Sequence, residues 1–135
     1  VALELRSSLS LKAKTVFQKG MWKGQTVSYG ATWKATKNTW ISTIPIGYGD
    51  GFMRSLSGKA EVIYEGKRFP VVGKICMDQM MIESPEKCLP NDAEVTLIGM
   101  NGREVITVEN LADQAQTIPY EILTNLNSRL PRYYS

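Results

Sequence analysis

Metal-binding and disulfide-forming residues are scarce in this sequence. It contains no histidine and two cysteines, Cys76 and Cys88, which are too far apart for a CxxC motif. Protein zinc sites depend largely on cysteine and histidine ligands, so we predict no metal site. Because disulfides belong to oxidising compartments, we also expect reduced thiols and a cytoplasmic protein.

Long apolar runs and blocks of like charge are also missing. No stretch approaches the roughly 18 apolar residues that a membrane span requires. The 16 basic and 13 acidic residues leave a formal charge of +3, and the lysines are scattered, which is typical of a solvated surface. We therefore expect neither nucleic acid nor a membrane as a partner. The chain begins at Val1 without a secretory signal, so we expect a piece of a longer protein.

Short segments rich in β-branched residues alternate with glycine-containing turns along most of the chain. They predict a mainly β fold, a small β-barrel or sandwich, with one or two short helices near the C-terminus. The 135 residues allow one domain with its own core; we assign 1–8 to a linker and 9–135 to the domain. The predicted strands are 9–17, 26–29, 32–36, 40–46, 60–64, 67–72, 73–76, 80–83, 94–99 and 103–107.

Turn and cap residues predict how these elements connect. Glu65-Gly66 and Asn101-Gly102 are two-residue turns typical of β-hairpins. Thr107 can cap a helix over 108–116, and Pro119 suits the first turn of a second helix to about residue 127.

Tyr29 is the first candidate for chemistry, because it follows a short strand and precedes Gly30, which leaves room around its ring. Most tyrosines in small β domains are amphipathic core residues, and that reading stays open. A phenol with a pKa of about 10 costs about 4 kcal/mol to ionise at neutral pH. If Tyr29 acts as a base, a cation must reduce that cost.

Three other places hold candidate side chains. Tyr48 lies between two glycines, Cys76-Met77-Asp78 follows an apolar segment, and Tyr120 precedes Glu121 at a predicted helix start. Each place also has a structural explanation. Tyr48 would cover a barrel end, Met77 would fill the core, Asp78 would accept hydrogen bonds from turn amides, and Tyr120 would pack at a helix terminus.

The ordered combination of these motifs closely resembles the C-terminal β domain of bacterial alanine racemase. The resemblance runs from about residue 8 to the end of the chain. It is carried by 27–32 (VSYGAT), 44–51 (IPIGYGDG), 72–79 (VGKICMDQ), 120–121 (YE) and 128–132 (SRLPR).

The resemblance implies a homodimeric, pyridoxal-phosphate-dependent enzyme that interconverts L- and D-alanine and supplies D-alanine for peptidoglycan. In that family an N-terminal eight-stranded α/β barrel, missing here, carries the cofactor on a lysine. Each β domain completes the partner subunit's active site. By motif position, Tyr29 resembles the catalytic tyrosine of a two-base mechanism that serves the partner subunit.

The other candidates take supporting roles by the same resemblance. Met77 resembles a residue whose backbone binds the substrate carboxylate, and Tyr48, Cys76 and Asp78 resemble residues at the substrate entrance. Tyr120 resembles a tyrosine that contacts the cofactor phosphate of its own subunit. Pyridoxal phosphate is expected only in the full-length enzyme, so the chain alone is predicted to be inactive.

Three alternatives remain open. A serine or broad-specificity amino-acid racemase would use the same scaffold, and a decarboxylase of similar architecture is possible, although 76–79 fits a racemase better. A non-enzymatic β-barrel module that binds single-stranded nucleic acid would use aromatic residues next to positive charge. Its candidate residues are Trp22, Trp33 and Trp40 with Lys23, Lys34 and Lys37.

Overall fold

The computed structural model describes residues 10–27 and 33–125. It confirms a mainly β fold with two short helices at its C-terminal end. The strands are β1 (Leu11–Lys14), β2 (Phe17–Met21), β3 (Thr26–Val27), β4 (Trp33–Lys34), β5 (Thr39–Ile44), β6 (Glu61–Tyr64), β7 (Lys67–Val72), β8 (Met80–Glu83), β9 (Glu94–Asn101) and β10 (Glu104–Ile106). The helices are α1 (Val108–Ala115) and α2 (Pro119–Asn125), and 3-10 turns cover Tyr48–Asp50 and Arg54–Leu56.

Eight strands form one strongly curled antiparallel sheet, a half-barrel. Its order is β1-β9-β6-β7-β8-β5-β2, with β10 paired to β9, while β3 and β4 form a separate two-stranded sheet. β1 and β2 therefore occupy opposite ends of this path, although only Thr15 and Val16 separate them in the sequence. Such a short connection requires the two ends of the sheet to lie close together.

The prediction of one long strand over 9–17 was wrong, because the chain changes partner at Thr15. Thr15 is fully buried, and its hydroxyl donates to Pro90 O (2.8 Å) and accepts from Ala93 N (3.1 Å). One residue later, Val16 N donates to Thr43 O in β5 at 3.0 Å. The alternation also fails at Phe17, which is exposed.

The core fills the inside of the curled sheet, where apolar side chains of β5 to β10 meet those of α1 and α2. Consecutive residues of β6 and β9 are buried, and since successive residues face opposite sides of a sheet, these two strands are covered on both faces. The largest fully buried side chains are Ile44, Leu56, Ile63, Ile75, Met80, Ile82, Leu89, Leu97, Ile98, Leu111, Val62 and Val95.

Both predicted hairpins are present. β6 and β7 pair Tyr64 with Lys67, and Glu65 and Gly66 both have positive φ, as a type I′ turn requires. In the β9–β10 hairpin the turn lies one residue later than predicted, because Asn101 pairs with Glu104. The Asn101 side chain accepts a hydrogen bond from Gly66 N at 3.1 Å and so ties the two turns together.

Both predicted helices are also confirmed. Thr107 caps α1: its hydroxyl accepts from Asn110 N, and Thr107 N donates to the Asn110 side chain, each at 3.0 Å. α1 packs against the 3-10 turn Arg54–Leu56 and against α2. Within the described ranges, neither helix is long and apolar enough to cross a membrane.

Candidate functional site

A tight turn at Gly47 follows β5 and forms one side of the candidate site. Asp50 N donates to Gly47 O and Gly51 N to Tyr48 O, both at 3.0 Å, which closes a 3-10 turn over Tyr48–Asp50. The turn ends at Gly51 with φ of 97°, a conformation that strongly favours glycine. Tyr48 is therefore carried on a tight backbone turn that ends at Gly51.

This turn binds the loop 76–78 through two backbone hydrogen bonds. Tyr48 N donates to Cys76 O at 3.0 Å, and Gly49 N donates to Met77 O at 2.9 Å. The two backbones touch directly, since a Cβ atom at Gly47 would lie 2.1 Å from Cys76 O. Two segments that are far apart in sequence are therefore held as one unit.

The same hydrogen bonds fix the direction of the Met77 amide. The described residues contain no cis peptide bond, so the C=O of Cys76 and the N–H of Met77, which share one peptide, point to opposite sides. With Cys76 O bound to the turn, Met77 N–H faces away from it. Met77 N donates to no acceptor in the described part of the chain. It is an oriented donor that can bind an anion.

The segment before Met77 is held by a second set of contacts. Ile75 N donates to the Ser57 hydroxyl at 2.8 Å, and that hydroxyl donates to Arg54 O at 2.7 Å. Cys76 N donates to Gln79 O at 2.9 Å. The strand predicted for 73–76 was wrong, because these amides bind a side chain and a loop carbonyl in place of a neighbouring strand.

Four predicted site residues, Tyr48, Cys76, Met77 and Asp78, are brought together in this way, and we call them the Tyr48 cluster. The side chains of Tyr48 and Met77 are 41% and 51% exposed, Asp78 is exposed and Cys76 is half-buried. The cluster is thus an accessible surface that can contribute one wall of a binding site.

Arg54 lies over the Tyr48 ring, with its guanidinium carbon 5.4 Å from the ring centroid. This distance permits a cation–π interaction. Sequence reasoning missed Arg54, because a lone arginine six residues after a tyrosine carries no specific signal. The 3-10 turn Arg54–Leu56 places it there.

Asp50 was also missed as a functional candidate, and it lies at the base of the turn. Its side chain is only 5% exposed, and its Oδ2 atom accepts a hydrogen bond from Gly47 N at 3.2 Å. An acid three residues after the first residue of a turn is the spacing of a capping box. That spacing was the available signal in the sequence.

The two remaining predicted residues lie elsewhere. Tyr120 is in the first turn of α2, is 71% exposed, and makes no hydrogen bond to the Tyr48 cluster among the described residues. α2 packs against α1, which in turn packs against the 3-10 turn that holds Arg54. Tyr29, the predicted catalytic residue, lies outside the described residues.

Two side chains on the strands of the β6–β7 hairpin have shifted pKa values. Partial burial, and then the charge of Glu65, raises the pKa of Tyr64. A hydrogen bond to Glu104 raises the pKa of Arg68, which also pairs with Glu61 at 3.2 Å. Across residues 10–27 and 33–125, no three His, Cys, Asp or Glu side chains are grouped as metal ligands.

Comparison with known proteins gives a consistent result. Residues 8–134 match the family "Alanine racemase, C-terminal domain". The chain is 42% identical over 131 residues to the alanine racemase of Latilactobacillus sakei, which covers 97% of this chain and 34% of that protein.

Solved structures agree with the sequence comparison. The crystal structure of alanine racemase from E. faecalis superposes with a TM-score of 0.89 at 38% identity, covering 93% of this chain and 33% of that one. A histidine racemase from Leuconostoc mesenteroides gives 0.87 at 36% identity, covering 92% and 33%. This chain thus spans about a third of the length of these relatives. It belongs to the alanine racemase C-terminal domain family.

Proposed function

We propose that this chain is the C-terminal domain of a pyridoxal-phosphate-dependent alanine racemase and that it contributes residues to a partner subunit's active site. The observation that carries the proposal is the orientation of the Met77 amide. Its direction is fixed by the Gly47 turn, and Met77 itself is 51% exposed. The proposed reaction is inferred from family membership. The proposed binding position of the substrate's carboxylate is inferred from the Met77 amide.

Racemisation sets two requirements at the substrate's α-carbon. One group must take the proton from one face, and a second must return a proton to the opposite face. Pyridoxal phosphate, when bound, withdraws electrons from that carbon. We assign Tyr29 to one of the two faces: its phenolic oxygen accepts the proton in one direction of the reaction and donates it in the other.

The described residues fit the anionic groups of such a site. Met77 N–H suits the substrate carboxylate, and the exposed phenol of Tyr120 suits a phosphate oxygen of the cofactor in its own subunit. We assign Tyr48, Cys76 and Asp78 to the substrate entrance, where Arg54 lies over the Tyr48 ring. The family's cofactor lysine belongs to the missing barrel, so the second proton-handling group comes from outside this chain.

Alanine is the proposed substrate because the matching family and relatives are alanine racemases. The histidine racemase has the same fold at similar identity, so this domain is compatible with different side chains on the substrate. A serine or broad-specificity racemase is therefore the second candidate. Initial rates of the full-length protein on L-alanine, L-serine and L-histidine separate the two.

The central experiment compares the full-length protein with its Tyr29→Phe variant. Loss of one proton-handling group should lower racemisation at least about 100-fold. Because L- and D-alanine have equal free energy, kcat/KM must fall equally in both directions. In D₂O, however, the second group should still exchange the α-proton of one enantiomer. We expect deuterium to enter that enantiomer without racemisation.

Tyr64→Phe is the matched control, because it removes a phenol on β6 outside the Tyr48 cluster. Its racemisation rate should stay within about twofold of the wild-type rate. Equal racemisation in Tyr29→Phe and wild type would rule out the proposed role of Tyr29. A wild-type protein that racemises no amino acid would rule out the proposed function.

A further inference from the structure

We propose that Asp50 is a positioning residue for substrate binding: its buried carboxylate sets the Gly47 turn, which orients the Met77 amide toward the substrate's carboxylate. The inference rests on the proposed function and extends it to a residue that does not itself touch substrate. It follows from two contacts and from the geometry of the peptide between Cys76 and Met77.

The first contact joins Asp50 to the start of its own turn. Its Oδ2 atom accepts from Gly47 N at 3.2 Å, while Gly47 O accepts from Asp50 N at 3.0 Å and from Phe52 N at 3.3 Å. Burial excludes water from this acceptor, since Asp50 is only 5% exposed. A carboxylate acceptor makes a stronger hydrogen bond than a neutral one. Asp50 therefore holds both polar groups of the Gly47 backbone in place.

The second contact joins the turn to the loop 76–78. Tyr48 N and Gly49 N immediately follow Gly47 and donate to Cys76 O and Met77 O. The close approach of Gly47 to both carbonyls leaves little room for adjustment between the segments. A shift of Gly47 is therefore transmitted to these two hydrogen bonds.

The third step is the direction of the Met77 amide. Cys76 O accepts from Tyr48 N and from no other donor in the described part of the chain. Its orientation determines that of Met77 N–H, because both belong to one planar peptide. Ser57 and Gln79 hold Ile75 N and Cys76 N, so they act on the preceding peptides. Without the turn, the peptide between Cys76 and Met77 loses its restraint.

The experiment measures carboxylate binding by full-length Asp50→Ala and Asp50→Asn variants. Substrate KM and the inhibition constant of propionate are determined together with kcat. Propionate carries the carboxylate without the amino group, so it reports on carboxylate binding alone. For Asp50→Ala we expect both constants to rise together by about tenfold, with kcat reduced less than threefold.

Asp50→Asn keeps an oxygen acceptor of nearly the same size but loses the charge. We expect an intermediate rise of about threefold in both constants. This ordering of wild type, Asn and Ala reports how strongly the side chain at position 50 accepts hydrogen bonds, the one from Gly47 N among them. It also provides the test if Asp50→Ala fails to fold.

Thr15→Val is the matched control. It removes another buried hydrogen-bonding side chain, whose hydrogen bonds in the described part of the chain are with Pro90 and Ala93 and not with the Gly47 turn. Its KM and propionate constant should match wild type even if its melting temperature falls.

Each outcome bears on the proposal. If the wild type racemises alanine but folded Asp50 variants keep both constants within twofold, the role of Asp50 is disproved and the proposed function stands. The role of Asp50 is also contradicted if Thr15→Val raises KM as much as the Asp50 variants do. It is contradicted as well if the Asp50 variants raise KM without raising the inhibition constant of propionate. A wild type without racemase activity instead contradicts the proposed function.

Discussion

A methyl group at Gly47 would lie 2.1 Å from the carbonyl oxygen of Cys76, far inside van der Waals contact. The Gly47 backbone is extended, with φ of −143°, so the requirement for glycine here is one of space and not of conformation. The close contact lets two segments about thirty residues apart share hydrogen bonds directly.

We predict that Gly47→Ala destabilises the chain by about 2 kcal/mol, the usual cost of adding atoms where no space exists. The added methyl must push 76–77 away, which also breaks the hydrogen bonds that orient Met77. Urea denaturation measures the loss, and substrate KM of the full-length variant reports the change at Met77.

Gly20→Ala is the control for this substitution. Its Cβ atom would meet the Trp40 ring at an ordinary contact distance of 3.4 Å, so the change should be neutral or slightly stabilising. An equally stable Gly47→Ala variant would show that the two segments separate at little cost.

The ring of Tyr48 and the guanidinium of Arg54 form the second testable pair. We predict a coupling energy of about 0.5–1 kcal/mol, as expected for an exposed cation–π contact. It is measured by a double-mutant cycle on stability with Arg54→Met and Tyr48→Leu. Met is chosen because it keeps an apolar side chain and removes the charge.

Lys59→Met replaces Arg54→Met in the control cycle, because Lys59 is an exposed cation without a ring contact among the described residues. Its coupling to Tyr48 should be close to zero. Similar coupling energies in both cycles would mean that Arg54 acts through its positive charge alone and not through its contact with the Tyr48 ring.

Local signals predicted most elements of this fold. Thr107 and Asn110 form a cap within one turn of helix, and Glu65-Gly66 closes its hairpin by its own backbone preferences. Such features depend on neighbouring residues, so the sequence reports them directly. The break at Thr15 depends instead on Pro90 and Ala93, which are remote in the sequence.

The same distinction applies to the site. The motif resemblance identified Tyr48, Cys76, Met77 and Asp78, and the structure places them together. Asp50 was missed because its importance lies in the contact between its turn and a remote loop. The strand predicted for 73–76 failed for a related reason: its amides bind Ser57 and Gln79, which alternation of apolar residues does not reveal.

Tyr64 gives a prediction about alkaline pH. Partial burial raises its pKa above the ordinary value of 10.0, and the charge and hydrogen bond of Glu65 add to the shift. As pH rises, the unfolded chain therefore loses this phenolic proton before the folded chain does. The stabilisation from Tyr64 is fully present below pH 10.0 and is lost as pH rises through the higher pKa of the folded state.

We expect Tyr64→Phe to flatten the fall in the free energy of unfolding between about pH 9 and about pH 11. Glu65→Gln should flatten it less, because burial is the larger cause. Urea denaturation across this range measures the slopes. A steeper fall in Tyr64→Phe than in wild type would reverse the sign of the proposed linkage.

The last prediction concerns the chain by itself. The residues assigned to substrate and cofactor are largely exposed in this chain, Tyr120 by 71% and Met77 by 51%, so water competes for their hydrogen bonds. The proposed reaction also requires a proton-handling group on the opposite face of the α-carbon, and we assign that group to a residue outside this chain.

We therefore expect the purified 135-residue chain to racemise neither L- nor D-alanine and to lose added pyridoxal phosphate during gel filtration. The full-length protein, treated in parallel, should retain the cofactor and its activity. Turnover by the chain alone would place both proton-handling groups within these residues. Such a result would contradict the division of the active site between this domain and the missing barrel.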